Sequence, residues 1–381
     1  MKYTLLSLFL FSILTVFSQK KEVIYEVDGI RVDPVFYEEL NDLNDEIVDR
    51  FKVIEDEIKI NALGYSNAER LIQIETKAYV SRPDSLKRIP STREMDRILG
   101  KWHLKDNPQV YTGPFRDYYL NGNLQGKGNL QKGKLEGKRW LYFKDGSISE
   151  ELHYKNGFPD GKEIRYYPNG KIKQVGYYNK GFEVGEWKKF HINGELKQVS
   201  SFNENGKLDG EVLTYYSTGE LKGESKFKDG KLINDRKTRK LNEAYDTAKR
   251  SFELGNFKEA EELFTKCIKL KSDWNDAYFG RGTAYLNDNE FEKALSDFNK
   301  AIEIEPLDAY AYTNRAFVLI RQQEFKAAKK QSSTEGMQVF GTKNVEIPDE
   351  DIQKICQDLQ KAKDLGDDSR MLLNAISKYC Y

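Results

Sequence analysis

Gly128–Leu135 reads GNLQKGKL, one residue away from the G-x4-G-K-[ST] loop whose backbone amides cradle phosphates. Leu135 stands where that loop needs a hydroxyl to hold magnesium, and the segment falls inside a hairpin register instead of between a strand and a helix. The three histidines, His103, His153 and His191, are scattered, and there is no H-E-x-x-H, no G-x-S-x-G and no cysteine with a nearby histidine. No C-x-x-C pair exists, so the donor spacing of a zinc site is missing. The sequence therefore predicts no catalytic, cofactor-binding or metal-ligating residues and a protein that is not an enzyme. Cys267, Cys356 and Cys380 leave two readings open: a bond between Cys356 and Cys380 near the C-terminus, or three buried thiols.

What remains is binding chemistry, carried by rings. The 381 residues include 23 Tyr and 21 Phe against 4 Met, which favours strands and tight turns. Basic and acidic residues both number 61, so no global charge steers the chain to nucleic acid. At the N-terminus Lys2 precedes the apolar run Leu5–Phe17, with Val16 and Ser18 small enough for a cleavage site after Ser18. The run is shorter than the ~20 residues of a membrane span. Residues 1–18 are thus expected to be a signal peptide, and the protein to be exported: periplasmic, outer-membrane-associated or secreted.

The rings sit on a repeat. Gly113, Gly137, Gly161, Gly185 and Gly210 open five units, and nine residues on each has a second glycine: Gly122, Gly146, Gly170, Gly194 and Gly219. Asn121, Asp145, Asn169, Asn193 and Thr218 precede these, and Asn-Gly or Asp-Gly predicts a two-residue type I′ turn there. A third glycine, at Gly133, Gly157, Gly181, Gly206 and Gly230, marks a looser turn. Aromatic doublets recur in register: Tyr118/Tyr119, Tyr142/Phe143, Tyr166/Tyr167, Phe190/His191 and Tyr215/Tyr216. Neighbours on a strand face opposite ways, so the doublets form either an internal ladder or an exposed stripe that binds a partner. On the second reading Tyr119, Phe143, Tyr167 and Tyr216 are candidate contact residues.

From Leu241 the period changes to that of helices, with a 34-residue repeat. Phe257, Phe291 and Phe325 recur, as do Ala260, Ala294 and Ala328, Phe264 and Phe298, and Ala248, Gly282 and Ala316. After Ala328 the polar run KKQSSTEGMQVFGTKNVEIPDED interrupts the third unit. It predicts about 27 extra residues, an insertion at about 329–351 that either covers a groove or is tolerated at the surface. The repeat helix is expected to resume at Ile352, with Ile355, Leu359 and Ala362 inward.

Residues 113–236 resemble the bacterial variant of the MORN repeat family, in its Y-Y-x-N-G-x-[LI]-K signature and closing [LF]-x-x-G. Residues 237–381 resemble tetratricopeptide (TPR) repeats. These resemblances imply a multidomain α+β chain: a small α/β module at 19–80, a linker at 81–112, a single-layer β-hairpin array and an all-α solenoid. The N-terminal module, VIYEVDGIRVDP to LIQIETK, is similar to the plug module of TonB-dependent receptors, with a helix at Phe36–Leu43. The TPR resemblance implies that first helices line a peptide groove, which places Tyr245, Lys249, Phe279, Thr283, Tyr310 and Thr313 as candidates. No lysine and arginine cluster is present to grip a terminal carboxylate. The expected function is an extracytoplasmic scaffold for protein–protein interaction, with an unknown protein as partner. Binding of envelope lipid or glycan by the aromatic hairpins, which carry about +5, is a second reading. Toxin neutralisation, a role found among bacterial relatives of the hairpin family, is a third.

Overall fold

The computed structural model describes residues 22–32, 43–65, 68–105, 107, 109–233, 236–335 and 347–380. The expected signal peptide and nearly all of the expected Phe36–Leu43 helix lie outside them. The chain divides into two compact units, 1–148 and 149–381.

The first unit opens on a four-stranded sheet of β1 (Glu22–Val27), β2 (Ile30–Val32), β3 (Val48–Ile54) and β4 (Ala68–Thr76), in the order β2-β1-β4-β3. Asp28 and Gly29 both take positive φ, the type I′ geometry that joins β1 and β2 as a hairpin. Helix α1 (Glu57–Ala62), not expected from the sequence, is started by the Asp56 carboxylate accepting from the Ile58 and Lys59 amides. Its Ile60 is fully buried against Leu71, Ile24 and Ile54. That one apolar contact anchors the helix to the sheet.

The described residues of the stretch expected as a linker form regular elements. After α2 (Lys77–Ser81), this stretch holds α3 (Asp84–Lys87) and a hairpin of β5 (Met95–Ile98) and β6 (Lys101–Leu104). Met95 enters a core with Phe115 and Leu130 of the first repeat hairpin, β7 (Gly113–Tyr118) and β8 (Leu124–Gln131). The buried Asp117 carboxylate accepts from the Ser91 hydroxyl at 2.7 Å and the Thr92 amide at 2.8 Å. Three prolines disguised this segment, because its packing partners come from elsewhere in the chain. β9 (Lys134–Leu135) and β10 (Gly137–Tyr142) continue the antiparallel sheet.

In the second unit β11 (Ile148–Lys155), β12 (Phe158–Tyr166), β13 (Ile172–Asn179), β14 (Phe182–Phe190), β15 (Leu196–Phe202), β16 (Gly210–Tyr215), β17 (Leu221–Lys228) and β18 (Lys231–Ile233) pair antiparallel in sequence order. Except at Gly206, the two turn types are exchanged relative to expectation. Type I′ geometry, with two consecutive positive φ angles, occurs at Lys132-Gly133, Asn156-Gly157, Lys180-Gly181 and Asp229-Gly230. At the Asn-Gly turns only the glycine has positive φ, and Gly122 N–H donates to Tyr119 O while Tyr119 N–H donates to Asn123 O. These are three-residue loops closed by a glycine bulge. The reason lies in the side chain: Asn121, Asp145, Asn169 and Asn193 each accept from the amide two residues on. This Asx turn holds the residue out of the left-handed region. Gly176, outside the repeated glycine register, lies under the Trp187 ring, and a Cβ there would come within 2.1 Å of it.

The helices follow: α4 (Arg236–Glu253), α5 (Phe257–Leu270), α6 (Asn275–Asn287), α7 (Phe291–Ile304), α8 (Ala309–Glu335), α9 (Asp349–Asp364) and α10 (Arg370–Tyr379). Ala248, Ala260 and Ala294 are fully buried, as close helix pairs require. Gly280 does the same work unforeseen, since a Cβ would meet the Phe264 ring at 2.5 Å. Helix α8 does not stop at Ala328 but runs to Glu335, so the backbone expected to leave the helix stays in it.

Candidate interaction surfaces

A buried ion pair marks the helical register. Arg281 on α6 grips Asp297 on α7 with two parallel bonds, Nε to Oδ2 at 2.7 Å and Nη2 to Oδ1 at 2.8 Å. One period later Arg315 on α8 makes the same fork to Asp358 on α9, at 2.8 and 2.7 Å. The 34-residue period would put that carboxylate at residue 331, so the 27 extra residues lie between the two helices of the third unit. Ile352, Ile355, Leu359 and Ala362 then occupy the places of Phe291, Ala294, Phe298 and Ala301, and Ile355, Leu359 and Ala362 are fully buried. Phe325 and Ala328 match the period by spacing alone. They lie on the extension of α8, where the Phe325 ring packs edge-on against Phe291 at 5.6 Å and Gln322 donates to Glu292. A disulfide joins Cys356 of α9 to Cys380 after α10, and Cys267 is a buried free thiol.

The candidate residues of the helices divide sharply. Lys249 is exposed, and Tyr310 is 61% exposed on the first helix of its unit. Phe279 and Thr283 are half-buried, Phe279 against Phe298 and Thr283 with its hydroxyl given to Phe279 O. Tyr245 packs between Trp274 and Phe264, and burial pushes its hydroxyl pKa up to about 12. Thr313 is only 2% exposed and donates to Asp367 at 2.6 Å. It ties the C-terminal segment to α8, so it is withdrawn as a groove residue.

The hairpin candidates are spent on a ladder. Tyr119 donates its hydroxyl to Tyr142 O and Tyr167 to Phe190 O, both at 2.8 Å, and His191 bonds Tyr215 O at 3.0 Å. The turn asparagines run in parallel, Asn121 to Lys144 O, Asn169 to Ile192 O and Asn193 to Ser217 O. In the first, third and fourth hairpins the second ring of the doublet and the turn amide thus satisfy carbonyls of the next hairpin. Burial raises the Tyr167 hydroxyl pKa. Phe143 keeps the half-buried ring without a hydroxyl.

Tyr216 holds the last rung and has no following hairpin to use it on. It is 0% exposed and donates instead to Asp273 O, in the loop between α5 and α6, at 2.5 Å. Ser217 donates both its amide, at 3.1 Å, and its hydroxyl to Glu305 after α7. Lys222 pairs with Asp276 at 3.1 Å, and its carbonyl accepts from Lys271. Tyr216 is therefore a junction residue and not a partner contact. The signal in the sequence was Thr218, which replaces the asparagine of the other turns at the one repeat whose neighbour is helical.

The comparisons agree with this geometry. Residues 111–132, 135–156, 159–180 and 208–229 match the MORN repeat variant, and residues 251–273 and 276–307 match tetratricopeptide repeats. The chain thus carries two repeat families in tandem, MORN-variant hairpins followed by TPR helices. It is 33% identical over 82 residues to the Protein SGT1 homolog of Oryza sativa subsp. japonica, covering 22% of each chain. Over 78 residues it is 33% identical to Tetratricopeptide repeat protein 6 of Homo sapiens, covering 20% of this chain and 15% of that one. The chain spans about a fifth or less of these relatives. Among solved structures, the first TPR of Spaghetti (RPAP3) bound to HSP90 peptide SRMEEVD is similar at 17% identity and a TM-score of 0.29, covering 37% of this chain and 91% of that one.

Proposed function

We propose that the protein is an exported, non-enzymatic scaffold that holds a protein partner on the first helices of its TPR repeats. The observation that carries this reading is the split among the candidate rings. The hairpin tyrosines give their hydroxyls to the ladder or the junction. On first helices, Tyr310 keeps its hydroxyl and Lys249 its ammonium for solvent. Exposed rings and cations are the kind of anchors that carry interface energy. Export is supported by the N-terminal leader pattern and by the Cys356–Cys380 bond, since disulfides persist in oxidising compartments.

The tagged full-length chain, crosslinked in its native envelope fraction, is expected to capture one stoichiometric protein. The double substitution Lys249→Glu and Tyr310→Ala should cut that capture by at least about tenfold, the loss of a single good anchor. Both side chains are exposed, so thermal unfolding should be unchanged. Undiminished capture by the variant would move recognition off this face.

A further inference from the structure

A small cleft in the first unit has a chemistry the repeats do not require. It is lined by α2, α3, the β1–β2 turn and strand β7, and four cations face it, Arg82, Lys87, Arg93 and Arg116, against two carboxylates, Asp28 and Glu94. Both carboxylates are engaged elsewhere. Asp28 accepts from the Thr76 amide at 2.7 Å and the Thr76 hydroxyl at 2.9 Å, and Glu94 accepts from the Ser91 amide at 2.7 Å. Two of the cations have local partners: Lys87 donates to Val80 O and Arg93 to Gln125.

Arg82 and Arg116 do not. Neither guanidinium makes a hydrogen bond or ion pair to a described residue, and Arg82 lies flat on the Tyr118 ring, 3.6 Å from its centroid. Stacking leaves the edges of that guanidinium, with their N–H donors, pointing sideways. The Tyr118 hydroxyl is out of solvent and meets no hydrogen-bond partner. Buried hydroxyls are nearly always paired, so an orphan hydroxyl beside two arginines that make no ion pair is a group awaiting a partner. The unpaired groups, two guanidiniums and one hydroxyl, can all donate. Size narrows the ligand further. The cleft has a volume of about 60 Å³, room for a few water-sized groups.

We propose that this cleft binds a compact oxyanion, a phosphate or the phosphoryl end of a phosphomonoester, between Arg82, Arg116 and the Tyr118 hydroxyl. Charge-assisted bonds to an oxyanion satisfy all three at once. The site is separate from the partner-binding face and does not depend on it.

Titration calorimetry of the full-length protein at low salt tests this, with inorganic phosphate in one arm and glycerol 3-phosphate in the other. Binding of phosphate alone restricts the site to the free ion, and binding of both shows that it accepts a phosphoryl group on an organic body. Arg116→Gln should weaken binding at least about tenfold, as loss of a charge-assisted pair does. Tyr118→Phe keeps the ring under Arg82 and removes only the hydroxyl, so it should weaken binding about three- to tenfold. Without ligand, its unfolding midpoint should equal or exceed that of the wild type, because an orphan hydroxyl is gone. No heat from either ligand at about 5 mM, a concentration that would still reveal millimolar binding, overturns the proposal. So does unchanged affinity in Tyr118→Phe, which stands as the test even where Arg116→Gln fails to fold.

Discussion

Replacing Tyr216 with alanine is expected to remove about 3–5 kcal/mol of folding stability, the cost of truncating a fully buried aromatic ring. The ring is the largest fully buried side chain at the foot of the hairpin array, and its hydroxyl is bonded to Asp273 O across the junction with the helices. Two contributions separate cleanly. Tyr216→Phe keeps the packing and loses one hydrogen bond to a backbone carbonyl, so about 1 kcal/mol should go. The remainder belongs to the cavity. Urea unfolding of the two variants measures both, and the slope should stay the same if hairpins and helices still unfold together. A split into two transitions in Tyr216→Ala would show that this residue couples them. A loss below about 1 kcal/mol in Tyr216→Ala would contradict the burial on which the junction rests.

Much of the fold is legible because it is periodic. Fifteen glycines in register fix five hairpins, and the 34-residue recurrence of Phe257, Phe291, Ala260 and Ala294 fixes the helical units. What periodicity does not carry is what a side chain does outside its own repeat. Asn121-Gly122 looks like a type I′ turn until the asparagine is seen accepting from Asn123 N–H and donating to Lys144 O. Phe325 and Ala328 fall on the repeat by spacing, yet Ile352 and Ile355 do the packing. Tyr216 shares its doublet position with Tyr119 and Tyr167, and only the helices beyond it decide that it is buried. The elements within 81–112 are invisible for the same reason, since Met95 and Ser91 find their partners on the first repeat hairpin.

The second large effect concerns the insertion. Arg315→Ala should destabilise the helical repeats by about 3 kcal/mol, because it leaves the Asp358 carboxylate buried without its counter-charge. Arg281→Ala should cost a similar amount through Asp297. Equal losses are the expected result, since the two forks occupy equivalent positions despite the 27 residues added between α8 and α9. Burial holds the Asp297 pKa above its usual range even with Arg281 beside it, which shows how costly an unpaired carboxylate there would be. A double-mutant cycle of Arg315→Ala with Asp358→Asn should recover a coupling of about 1–3 kcal/mol. If Arg281→Ala is costly and Arg315→Ala is neutral, Asp358 does not replace the carboxylate that the period demands, and the insertion must be placed elsewhere.

Whether the partner sits on the first helices of the TPR repeats can be read out by site-specific photo-crosslinking. A photoreactive phenylalanine analogue is placed at Tyr310 in one sample and at Tyr177 in another. Tyr177 is a hairpin residue that is 51% exposed and so an equally available surface ring. The account predicts one discrete protein adduct from position 310 and none from position 177. An adduct from 177 alone would put recognition on the hairpins and contradict it.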